Sequence, residues 1–176
     1  AVRDAGGTLI YVLGIGATAT SKRADEFHAE FTDVSYLAMS ELFGGPLLTE
    51  FSRSLTRARV HQYQRFFADA ERVLIMLHND PDPDAMASGL ALRNVLRRTK
   101  QTAVIGAQLG ATRPENLRMQ NLLDIQVEII TADQLGGFDR IAMVDVQPHY
   151  FGAEFHRVDL VIDHHPEQPG YSAVFK

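Results

Sequence analysis

Val73-Leu74-Ile75-Met76-Leu77-His78-Asn79-Asp80-Pro81-Asp82-Pro83-Asp84-Ala85 is the stretch whose reading decides the fold. An apolar run leads into an imidazole and three carboxylates, and a helical pattern starts straight after them. A turn needs one or two Asx or Pro residues for its backbone. Three aspartates and a histidine at one strand end repel one another unless a cation sits among them. The stretch therefore predicts a metal site at a strand-to-helix junction.

Outward from it, the pattern alternates. Val73–Leu77 reads as a strand, Ala85–Arg98 as a helix, Ala103–Gly106 as a strand and Pro114–Leu123 as a helix, followed by strands at Val127–Ile130, Ile141–Val146 and Leu160–Asp163. Apolar strands alternating with helices predict an α/β fold, a doubly wound parallel sheet with helices on both faces. The right-handed crossover rule puts all the strand carboxyl ends on one edge, where ligands bind. The polar clusters obey it: His78, Asp82 and Asp84 follow one strand, Asp145 ends another after Ile141-Ala142-Met143-Val144, and Asp163-His164-His165 closes a third.

Each cluster has an innocent reading alone. Asp84 could cap the helix beginning at Ala85, and adjacent histidines could belong to a surface loop. Three such clusters at three strand ends are better explained by one metal centre. Asp82, Asp84, Asp145, Asp163, His78 and His164 exceed what one octahedral ion needs if it keeps open positions for water and substrate. Two ions about 3.5 to 4 Å apart would use the set as a clamp for phosphoryl transfer. Asp145 is the natural bridge, with His78 and Asp82 on one ion and Asp84 and His164 on the other. With no cysteine in the chain, disulfides and thiolate zinc sites are excluded, and oxygen and imidazole ligands favour a harder ion such as manganese or magnesium.

The 176 residues suffice for one domain with a smaller appendage. No apolar run is long enough to span a bilayer and no leader peptide is evident, so no membrane association is expected and the reading is cytoplasmic. A formal charge of -5 argues against a broad surface for long nucleic acid, yet bound cations would still admit a small phosphate substrate.

The first 65 residues read as a separate, mostly helical α/β region of unassigned role. Thr8–Leu13 is a strand candidate, and Gly14-Ile15-Gly16-Ala17-Thr18-Ala19 fits a loose dinucleotide fingerprint. Its confirming context, a clear second strand with an acidic end, is lacking. Asp33 lies at a suitable distance but reads more simply as a turn or cap. Helical patterns cover Ser21–Phe31 and Val34–Phe43, and Gly44-Gly45-Pro46 is the best boundary candidate. A longer helix follows to about Ala70, with an apolar stripe that includes Leu47, Phe51, Leu55 and Phe67. His28 and His61 lie on these helices without a partner at ligand spacing.

His78-x-x-Pro81-Asp82-x-Asp84-Ala85, then Asp145, then Asp163-His164-His165 resemble, in order, the first three motifs of the DHH phosphoesterase superfamily, most closely its oligoribonuclease and phosphoadenosine-phosphate phosphatase branch. The resemblance covers about Phe66 to Lys176, giving a division into 1–65 and 66–176. It implies a pair of manganese ions, for which magnesium or cobalt could substitute, and hydrolysis by a two-metal-activated hydroxide. His165 would stabilise the transferring phosphoryl group, making His165 and Asp145 the catalytic pair, and Ser88 would support the first motif. The family has a further aspartate motif and a glycine-rich C-terminal domain that grips substrate. The sequence also lacks an initiator methionine and reads as a catalytic half without that partner domain.

The expected function is hydrolysis of phosphoester bonds in short oligonucleotides or small nucleotides, with homodimerisation left open. The alternatives are a regulatory or nucleotide-sensing module with little turnover, or an inorganic pyrophosphatase. His149 and Arg113 are candidates for substrate contact, although a histidine after Pro148 and an Arg-Pro pair opening a helix both have ordinary readings. Arg93, Arg97, Arg98 and Lys100 suit the dipole at one helix's C-terminal half.

Overall fold

A computed structural model describes residues 11–14, 22–32, 34–38, 46–155 and 157–176. The chain divides into two compact units, Ala1–Tyr63 and Gln64–Lys176. In the first, β1 (Tyr11–Gly14) and β2 (Ser35–Ala38) pair in parallel, with α1 (Lys22–Glu30) between them in sequence. The helix expected over Val34–Phe43 is therefore corrected at Ser35–Ala38, which is a strand. Four residues suit either state, and a parallel partner on β1 decides it. The fingerprint beyond Gly14, and Asp33, lie outside the described residues.

α2 (Pro46–Phe67) runs through the boundary between the units. The expected apolar stripe is corrected too: Phe67 is fully buried, but Phe51 and Leu55 are 45% and 40% exposed.

The second unit holds β3 (Val73–Met76), α3 (Pro83–Val95), β4 (Ala103–Ala107), α4 (Pro114–Leu122), β5 (Val127–Ile129), β6 (Arg140–Val144), β7 (Arg157–Ile162) and β8 (Ser172–Phe175). The six strands form one sheet in the order β5-β4-β3-β6-β7-β8, every pair parallel. This is the expected doubly wound sheet. The chain winds outward from β3 to β5, then returns to β6 beside β3 and winds the other way. The topological switch point thus lies between β3 and β6, where a crevice opens at the strand carboxyl ends.

β3 and β4 are buried throughout, which is why they read as continuous apolar runs. α3 lies close enough over them that a Cβ on Gly89 would come 3.2 Å from the Leu77 side chain. α3 and α4 both end with the chain turning left-handed, at Arg97 (φ 56°) and Asp124 (φ 48°). After each, paired backbone bonds close the helix end: Arg97 N to Asn94 O with Arg98 N to Arg93 O, and Asp124 N to Asn121 O with Ile125 N to Gln120 O. Arg98 does not serve its own helix's dipole. Its guanidinium donates to the carbonyls of Phe67, Ala68 and Ala70, tying down the end of α2. At the same end of the sheet, Asp139 accepts from the backbone N–H groups of Glu71 and Arg72 and so joins the starts of β3 and β6. No helix among the described residues is long and apolar enough to cross a membrane.

Among the described glycines the most closely packed is Gly106 on β4, where a Cβ would collide with Ile130 and meet Leu74 at 3.2 Å. Gly106→Val is expected to lower stability by about 1–3 kcal/mol through overpacking, read as a lower midpoint in urea with an unchanged slope.

Candidate metal centre

β3 delivers the first wall. Its apolar residues fix the strand's direction, and the chain leaves through Leu77 into His78, whose Nδ1 lies 2.9 Å from the carbonyl of Asn79. The aspartates that follow have different tasks. Asp80, left-handed at φ 49°, turns away from the cavity and holds the start of α4, accepting from Thr112 N at 2.7 Å and from Arg113 Nε at 2.8 Å. The Thr112 amide, with the Arg113 guanidinium, keeps the Asp80 carboxyl well below the usual carboxylate range. Asp82, not Asp84, is the N-cap of α3: its Oδ1 accepts from Ala85 N at 3.0 Å. That leaves Asp82 Oδ2 free, and Asp84, in the first helical turn, lines the cavity.

β6 delivers the centre. Asp145 follows Val144 with φ 56°, a left-handed backbone that Asp adopts more readily than most residues. Its N–H donates to Ile162 O at 2.9 Å, and its carboxylate is brought to the switch point. Its side chain is 8% exposed, with Oδ2 lying 3.8 Å from His78 Nε2 and Oδ1 3.2 Å from His164 Nε2. Oδ1 is nevertheless buried without a hydrogen-bond partner. Burial pushes the Asp145 carboxyl above its ordinary range, and the charges of Asp84 and Asp82 push it further.

β7 delivers the other wall. Asp163 holds a 4% exposed carboxylate whose oxygens are both taken: Gln147 Nε2 donates to Oδ2 at 2.5 Å, and His165 Nδ1 lies 2.8 Å from Oδ1. Burial alone would raise the Asp163 carboxyl, but the Gln147 and His165 bonds outweigh it and leave it lowered. The same bond to Asp163 raises His165, whose charged form it favours.

Two groups of possible ligands result. His78, Asp82 and Asp145 form one and Asp145, His164 and His165 the other, the ligand atoms of each lying within 4.8 Å of one another. Asp145 is common to both. Asp163 lines the cavity but joins neither group, both its oxygens being engaged by Gln147 and His165, and His165 stands in the second group. Arg113 is not brought to the cavity, its guanidinium being held by Asp80. Asp84 lines the cavity without joining either group.

The cavity measures about 570 Å³, and its lining also includes His149, Tyr150, Gln147 and Gln168. His149 was legible as the histidine after Pro148. Gln147, Tyr150 and Gln168 were missed, since neutral residues in loops carry no spacing signal; only their nearness to Asp145 and His165 could have drawn attention. Ser88 lies outside the cavity lining.

Oxygen and imidazole donors, a shared carboxylate and an orphaned buried oxygen fit a divalent cation centre at the switch point of a parallel α/β sheet. Residues 72–175 match the model of the DHH family, N-terminal domain, and the chain belongs to that family. Members of this family are generally divalent-metal phosphoesterases. An uncharacterised protein of Methanocaldococcus jannaschii is 33% identical over 96 residues, covering 53% of this chain and 20% of the relative. The chain thus spans about a fifth of the length of this curated relative. No solved structure matches the chain significantly.

Two outcomes follow from the electrostatics. Because Asp145 is raised, its charged form costs the metal-free fold stability above that pKa, so at neutral pH metal-free Asp145→Asn should melt no lower than metal-free wild type. Added Mn2+ should raise the melting temperature of the wild type, as any ligand of the native state does, and raise that of the variant much less. His165 should titrate above an ordinary histidine in metal-free protein. Its pairing with Asp163 adds stability that is full below the unfolded histidine's pKa and lost as pH rises through the folded one. Asp163→Asn should bring the His165 midpoint down in an NMR titration.

Proposed function

We propose that this site is a manganese-dependent phosphoesterase centre that hydrolyses short oligonucleotides or small nucleotides, as in the oligoribonuclease and phosphoadenosine-phosphate phosphatase branch that the motifs resemble. The observation that carries this reading is Asp145: a buried carboxylate with an unpartnered oxygen, shared between two ligand groups at the switch point. His78, Asp82 and Asp145 would hold one ion, and Asp145 and His164 the other, with Asp84 available to it from the cavity wall. When bound, such ions supply charge to the phosphoryl oxygens and lower the pKa of water.

The chain's own residues supply the rest. His165, with Nδ1 committed to Asp163, has Nε2 left for a phosphoryl oxygen, and its raised pKa favours the cation that stabilises developing negative charge. Asp163 orients that ring and does not itself touch substrate. His149 and Tyr150 line the cavity, where a histidine can meet a phosphate and an aromatic face can meet a base. No serine or cysteine nucleophile is required. The volume of about 570 Å³ suits a small nucleotide or the end of an oligonucleotide better than a duplex.

The test is release of mononucleotide from a dinucleotide, with pyrophosphate as a parallel substrate, with and without Mn2+. Mn2+-dependent mononucleotide release is expected, and Asp145→Asn should reduce it by more than the roughly 10–100-fold typical of outer-layer metal partners. Pyrophosphate cleavage alone would reassign the protein as a pyrophosphatase. Nucleotide binding without release of either product would make it a sensing module.

A further inference from the structure

Gln147 is the most completely engaged polar side chain in the cavity wall. It stands two residues past Asp145 and is 4% exposed. Its Nε2 donates to Asp163 Oδ2 at 2.5 Å and reaches the carbonyls of Pro166 at 3.2 Å and His165 at 3.4 Å. Its Oε1 accepts from Gln168 N at 2.8 Å. One amide on the exit of β6 therefore holds four positions of the loop that leaves β7, while His164, between them, lies 3.2 Å from Asp145.

The physical consequence concerns Asp163. A buried carboxylate needs donors to offset its desolvation, and a carboxylate held at one oxygen can still rotate about its own bond. Held at both, by Gln147 on Oδ2 and His165 on Oδ1, its plane is set, and with it the direction of the His165 ring. An amide does this without bringing a positive charge beside groups that would bind cations, as a lysine or arginine would.

We propose that Gln147 is a positioning residue for the candidate reaction: by donating to Asp163 and the His165–Pro166 backbone, it orients the His165 ring toward the cavity. The inference rests on the phosphoesterase reading for its kinetic consequence but not for its structural one. Two variants test it. Gln147→Leu removes donor and acceptor. Gln147→Glu keeps the volume and the acceptor for Gln168 but replaces the donor with a carboxylate facing Asp163. In metal-free protein, the His165 ring resonances of both variants should broaden or divide into several environments, while those of His28 and His61 stay unchanged. In Mn2+-loaded protein, both should lose about 10–100-fold in kcat, with little change in KM.

A loop-filling role would instead leave Gln147→Glu near wild type. A single sharp His165 environment in Gln147→Glu, or a kcat within about twofold of wild type, overturns the proposal. If Gln147→Leu fails to fold, Gln147→Glu carries the same comparison. If the wild type itself releases no mononucleotide, the phosphoesterase reading fails and the His165 resonances alone judge Gln147.

Discussion

Asp145 is held in a position that its own electrostatics disfavour. It is buried, one of its oxygens has no hydrogen-bond partner, and Asp82 and Asp84 add negative charge nearby. Carboxylates gather at one point only if the fold enforces it, and here the enforcement is geometric. β6 lies between β3 and β7, so its end is flanked by theirs. The backbone of Asp145 turns left-handed directly after the strand and is tied to Ile162. The apolar strands supply the burial energy that lets the site be electrostatically unfavourable until a cation compensates it.

The walls around Asp145 are built in layers. Residues that can reach a cation, His78, Asp82, His164 and His165, stand in front. Behind them stand residues that aim them: Asp163 behind His165, Gln147 behind Asp163, and Asp80 with Arg113 anchoring the loop that carries Asp82 to the start of α4. Such outer partners matter because a ligand must be oriented as well as present. The division also explains why neighbouring aspartates in one motif behave differently. Asp80 is paired with a guanidinium and backbone amides, whereas Asp145 faces like charges in a buried place.

Much of the second unit was legible before its structure was known. The period of the apolar runs marked the strands, and βα alternation required a parallel sheet with a single active edge. The helix ends were less legible. α3 starts at Pro83 because Asp82 caps it, not Asp84, and the chain leaves its end through Arg97, a residue that composition alone would not place in a left-handed turn. Ser35–Ala38 misled because four residues carry too little periodicity to separate helix from strand, and pairing with β1 supplies what the local pattern lacks.

The sequence by itself determined the fold class, the edge on which chemistry would gather and the ligand types available, because hydrophobic period and residue chemistry are local properties. Which of those groups face one another was decided only by the tertiary structure. Strand order put β6 between β3 and β7, which made Asp145 the shared group. Hydrogen bonding engaged both oxygens of Asp163, held Arg113 away from the cavity and brought in Gln147, whose amide has no distinguishing mark in sequence. A side chain's partners depend on what approaches it from distant parts of the chain, and that information exists only once the sheet is assembled.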